Sequence, residues 1–133
     1  MRNVRELISE IVKYGLLVPA NFNWSEIALQ KCYNGCGPEW LPAFVRKILT
    51  SYYSFFESAF LIHDYEFSQT DKTIDGFHGA NSRLFANCWK LTTHKISKWN
   101  FPKRFLYYSR SHLFYNACEQ QGESAWNNQG KEG

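Results

Sequence analysis

Near the N-terminus the apolar residues Val4, Leu7, Ile8, Ile11 and Val12 recur at steps of three and four, the spacing of one helix face. The pattern predicts a helix over 3–17 that ends near Gly15. In "VPANFNWSEIALQKC" (18–32), Pro19 and two asparagines mark a loop, and Ser25 stands as N-cap of a short helix. The stretch "YNGCGPEWLP" (33–42) is dense in Asn-Gly, Gly-Pro and proline, which excludes a helix there. From Pro42 two runs, "AFVRKILTSYYSFF" and "ESAFLIHDYEF", return to helical spacing, as one long helix or as two. The polar "SQTDKTIDGFHG" (68–79) reads as a turn or loop. A further helix is expected over about 78–97, carrying Leu84, Phe85, Cys88 and Leu91. "KWNFPKRF" interrupts it at Pro102, and a last helix is expected from about 103 to 120, before a frayed tail. No segment alternates with period two and no repeat is visible, so the chain reads as one all-α domain.

Composition narrows the function classes. A chain of 133 residues can bury one continuous core. Aromatic residues make up 18% of it, enough to build that core and also to line a lipid or nucleotide site. The net charge of +3 permits attraction to an anionic surface but falls short of a dedicated nucleic-acid binder. "MRNVRELISEIVKYGLL" lacks the apolar core of a signal peptide, and no run is long enough to span a bilayer. Of the four cysteines, Cys32 and Cys36 have a spacing that suits a zinc ribbon. Cys88 and Cys118 offer no second close pair, which favours reduced thiols or one incidental bridge.

The chemistry-bearing feature is the adjacent pair His63 and Asp64 in the apolar run "FESAFLIHDYEF". On a helix, Phe56, Ala59, Phe60 and Phe67 share the His63 face, whereas Asp64 is rotated by about 100° and addresses another partner. Asn81 lies on the stripe of Phe77, Leu84, Phe85 and Cys88 in the next helix, where a buried amide needs a hydrogen-bond partner. A ring nitrogen of His63 can supply it across an antiparallel helix pair. Two readings stay open: core polar residues satisfying each other, or part of a site. Tyr33, Gly35 and Gly37 alternate in a glycine loop closed by Pro38. Such a backbone can turn its carbonyls toward a hard cation such as calcium, with Asp64 as the carboxylate, or can be a simple connector.

The order of "NGCGP" (34–38), "AFLIHDYEF" (59–67), "GANSRLF" (79–85) and "YNACEQQGESAW" (115–126) resembles the phospholipase A2 family, most closely its small bacterial and phage-associated members. The likeness covers about residues 32–127, between N-terminal helices over 1–31 and a tail over 128–133. It implies a phospholipase A2-like all-α fold, with an antiparallel helix pair carrying the His-Asp site beside a calcium loop. The implied activity is calcium-dependent hydrolysis of a phospholipid ester, with His63 as general base supported by Asn81. Asp64 and the carbonyls of Tyr33, Gly35 and Gly37 would hold Ca2+, and the Gly35 N–H would face the oxyanion. The implied partner is a phospholipid or membrane surface, and no nucleic acid is expected. With no leader or anchor visible, a cytoplasmic or phage-associated setting is the expectation. Three positions depart from the family pattern: Asn81 stands for an Asp, Phe67 for a Tyr and Phe60 for a Cys. The first two fall on one polar network, which implies reduced or lost activity, or a rebuilt hydrogen-bond arrangement. In the serine-protease template an Asp-to-Asn change behind the His costs about 10⁴-fold.

Two other classes remain. The same fold kept without catalysis would be a lipid-binding or structural module. "KLTTHKISKWNFPKRFLYYSR" (90–110) interleaves basic and aromatic residues, as a solvated face over a core, a lipid-headgroup contact or a single-strand stacking surface. His78, His94 and His112 match no common metal spacing and read as surface or cap residues.

Overall fold

The computed structural model describes residues 3–33, 42–69, 73–123 and 126. Helix α1 covers Val4–Tyr14, α2 Glu26–Cys32, α3 Ala43–Ser68, α4 Ile74–Lys95 and α5 Phe101–Gln121. Among the described residues there is no strand, in agreement with the all-α expectation.

Local chemistry explains where the helices start and stop. Asn3 accepts from the Glu6 N–H to cap α1, and Gly15, at φ 60°, ends it in the left-handed region that suits a residue without Cβ. Ser25 caps α2 by accepting from the Ala28 N–H. The two runs after Pro42 form one continuous helix of 26 residues, since nothing between Phe56 and Glu57 breaks it. Helix α4 begins at Ile74, inside the stretch expected to be a loop. The Thr73 hydroxyl accepts from the Gly76 N–H, and Asp75 favours the first turn, which outweighs two helix-weakening glycines. Pro102 lies within the first turn of α5 instead of ahead of it, where its missing N–H removes no helical bond. Val12, expected on the buried face, is 67% exposed.

Helix α4 packs along both α3 and α5, and α1 and α2 pack against α3, with α1 also reaching α4. The side-chain pairings show that the long helices are antiparallel. Phe67 meets Phe77, His63 meets Asn81, and Lys95 donates to the Phe55 carbonyl. On the second seam, Trp89 stacks on Tyr108, Phe85 meets His112, and His78 meets Glu119. One core runs through Leu7, Ile11, Leu29, Phe56, Leu61, Leu91 and Phe114. The Phe60 ring is stacked on Tyr53 and edge-on to Phe114. A smaller cluster of Phe67, Phe77, Ala80 and Trp126 closes the end where α3 finishes and α4 begins.

Two polar anchors set the segments around this frame. The Asn87 side chain accepts from the Leu17 N–H and donates to the Leu17 carbonyl, at 2.6 and 2.9 Å. One amide thereby satisfies both backbone groups of a residue outside any helix. Glu66 takes a bidentate pair of bonds from Arg83, both at 2.7 Å, one turn along α3 from His63. That pair fixes the relative rotation of α3 and α4 where the candidate site lies.

Candidate functional site

The helical phase of α3 turns His63 toward α4 and leaves it 4% exposed. Its Nε2 lies 2.8 Å from Oδ1 of Asn81, which is itself fully buried. The Phe67 ring sits 4.5 Å from the imidazole, four residues along the same helix. The imidazole therefore faces a wall of aromatic carbon with no hydroxyl. This apolar wall and the depth of the site strengthen the few polar bonds made there.

The network does not end at Asn81. Its Nδ2 donates to Oε2 of Glu119 on α5 at 2.9 Å. His78, one turn before Asn81 on α4, places Nδ1 2.8 Å from the same oxygen and 3.0 Å from the other. The Tyr115 hydroxyl donates to Oε1 at 3.1 Å from one turn earlier on α5. Burial pushes the Glu119 carboxyl up, but the bonds from Asn81, His78 and Tyr115, with the charge of His78, outweigh it and hold the group below the usual glutamate range. The same contact with Glu119, followed by burial, raises the Tyr115 phenol. A carboxylate thus stands behind the histidine, linked to it through the Asn81 amide.

Asp64 takes a different direction. Its charge, after burial, raises the Cys32 thiol to about 11, and it also adds to the rise of the deeply buried Cys118. The carboxylate therefore acts on the end of α2, one residue before Tyr33. Tyr33 ends α2 with its N–H bonded to the Leu29 carbonyl. Its phenol is buried against α3, donating to Glu57 and lying 2.5 Å from the Tyr53 hydroxyl. Burial first, then the Glu57 and Tyr53 bonds, push that phenol far above its ordinary value, so Tyr33 is a neutral anchor of the end of α2 on α3. Gly35 and Gly37, with Cys36, lie outside the described residues.

The structure therefore brings His63 and Asn81 together, while the charge of Asp64 is felt at Cys32 and Cys118. Sequence reasoning missed Glu119, His78 and Tyr115. His78, expected as a surface or cap residue, is exposed and also pairs with Glu119. Two signals were present: Tyr115 and Glu119 share a helix face at i, i+4, and Glu119 is the first acidic residue after Asp75. Among the described residues no three His, Cys, Asp or Glu side chains form a metal cluster. A cation held by one carboxylate and backbone carbonyls would not require such a cluster. The remaining histidines are packed on aromatics, His94 stacked on Tyr14 and His112 edge-on to Phe85. Cys32, Cys88 and Cys118 are free thiols.

Polar and aromatic groups at this site offer a buried imidazole held through Nε2, a carboxylate backing it through an amide, and a second carboxylate, Asp64, at the next position of α3. That set can support proton abstraction by His63 and cation binding by Asp64 as separate tasks. Comparison with family models, with curated proteins and with solved structures finds no match to this chain.

Proposed function

We propose that the chain is a phospholipase A2-like hydrolase that cleaves a phospholipid ester in the presence of calcium. The observation that carries the reading is the hydrogen-bond chain from His63 through Asn81 to the Glu119 carboxylate. With Nε2 engaged by Asn81, Nδ1 of His63 takes a proton from water as the water oxygen bonds to the ester carbonyl carbon. The imidazolium formed is stabilised by the negative charge of Glu119 acting across the Asn81 amide. His63 then returns the proton to the departing alkoxide as the ester bond breaks. Phe67 and its aromatic neighbours keep bulk water from the opposite side of the ring.

Asp64 and the carbonyls of Tyr33, Gly35 and Gly37 are the groups assigned to calcium, and Gly35 N–H is assigned to the oxyanion. The charge of Asp64 contributes, after burial, to the rise of the Cys32 thiol, one residue before Tyr33. Calcium, when bound, would supply positive charge for the ester carbonyl and the phosphate. Release of fatty acid from phospholipid vesicles, measured with and without calcium, tests the proposal. Turnover should require calcium and vanish in His63→Gln, and Asp64→Asn should demand far more calcium. Absence of turnover at every calcium concentration refutes catalysis.

A second reading, a lipid-binding module without catalysis, is favoured by a specific observation. The junction of α4 and α5 exposes Trp99, Phe101 and Phe105, at 84%, 71% and 72%, beside Lys98 and Lys103. Between Asp75 and Glu119 the sequence holds seven Lys and Arg and no acidic residue. Exposed aromatic rings flanked by lysines suit an anionic bilayer surface.

A further inference from the structure

We propose that Glu119 is a positioning residue that sets the tautomer of His63 through the Asn81 amide. This deepens the hydrolase reading, on which its catalytic consequence rests, but the tautomer itself is a property of the protein alone.

An asparagine amide has a donor end and an acceptor end, and either can meet an imidazole nitrogen. Directed by its oxygen, Asn81 accepts a hydrogen from Nε2 of His63, and Nδ1 carries the lone pair. Directed by its nitrogen, it donates to Nε2, the hydrogen moves to Nδ1, and the ring has no basic nitrogen facing away from Asn81. Asn81 is fully buried, so water cannot make up for a wrong orientation. Glu119 removes the ambiguity. An ionised carboxylate only accepts hydrogen bonds, and this one gathers Asn81 Nδ2, His78 Nδ1 and the Tyr115 hydroxyl. The amide nitrogen must therefore face Glu119, and the oxygen must face His63. The Nε2–H tautomer follows.

An aspartate at position 81 would select that tautomer unaided. In this chain it would also stand against the Glu119 carboxylate at hydrogen-bond distance, where two like charges cannot both ionise cheaply. Asn81 and Glu119 form a matched pair, in which the amide carries the orientation and the carboxylate supplies the charge from a third helix.

The experiment reads the His63 tautomer in the full chain without substrate, from nitrogen–proton correlation NMR of the neutral imidazole. Wild type should show one tautomer, protonated at Nε2. Glu119→Met, which keeps the bulk and removes the acceptor, should give a mixture with a substantial Nδ1–H fraction. The swap Asn81→Asp with Glu119→Gln should restore a single Nε2–H form, since the amide placed on α5 can donate to the carboxylate placed on α4. A wild-type Nδ1–H tautomer overturns the proposal, as does an unchanged Nε2–H population in Glu119→Met. Should Glu119→Met not fold, Asn81→Asp alone is compared with the swap. Higher stability and a single Nε2–H form in the swap support the pairing, and a swap no more stable than Asn81→Asp overturns it. These outcomes are independent of lipid turnover: an inactive protein with an Nε2–H His63 refutes the hydrolase reading and leaves the positioning role standing.

Discussion

Asn81 on α4 and Glu119 on α5 are joined amide to carboxylate at 2.9 Å, although 38 residues separate them in the chain. Through that contact a negative charge on the third long helix reaches the histidine of the first.

The charge of Glu119 should make the fold sensitive to acid. Its carboxyl is held below the ordinary glutamate value of about 4.3. A lowered native pKa contributes stability that is complete above the unfolded value and is lost as pH falls through the native one. Urea unfolding of wild type should therefore weaken progressively below about pH 5, beyond what other carboxylates cause. Glu119→Gln cannot titrate, so its loss over the same range should be shallower. Parallel pH profiles for the two proteins would contradict the role of the charge.

Asn87 should matter for stability well out of proportion to its distance from the site. Asn87→Ala leaves the Leu17 N–H and carbonyl without their side-chain partner. A loss of about 1–3 kcal/mol is expected for groups left unpaired in a half-buried position. Denaturant midpoints measure the loss, and hydrogen exchange at the Leu17 amide should accelerate.

Phe114 links α5 to α3 by edge-on contacts with Phe56 and Phe60 and is 2% exposed. Phe114→Ala should cost about 3–5 kcal/mol, the range for emptying a buried aromatic site. A cost under about 1 kcal/mol would mean that the seam between α3 and α5 closes over the gap.

Membrane contact at the α4–α5 junction should depend on both components of that surface. Sedimentation with anionic vesicles should bring down wild type and lose most of it in the Lys98→Glu, Lys103→Glu variant or the Phe101→Ser, Phe105→Ser variant. Added salt should weaken the interaction, because screening acts on the lysines. Equal binding to neutral vesicles would argue against the charge component. Asn81 lies 14 residues from the end of α4, roughly 20 Å at the helical rise, so hydrolysis of a soluble ester should be unaffected by these changes.

The amino-acid sequence by itself determined the local events. Periodicity marked the helical stretches, Ser25 and Gly15 marked ends, and the phase of α3 turned His63 toward α4. It also determined that Asn81 needed a partner, because a short amide on an apolar stripe has few ways to be satisfied. Tertiary structure decided the rest. The start of α4 depended on the Thr73 hydroxyl and on Trp126, whose Nε1 donates to the Thr73 carbonyl from 53 residues away. Glu119 and His78 became a pair only when α5 was laid antiparallel to α4, since neither residue carries a local pattern that names the other. A helix face can be read from spacing because geometry repeats every few residues. Which carboxylate reaches a buried amide is set by the register between helices, and that register comes from packing summed over the whole seam.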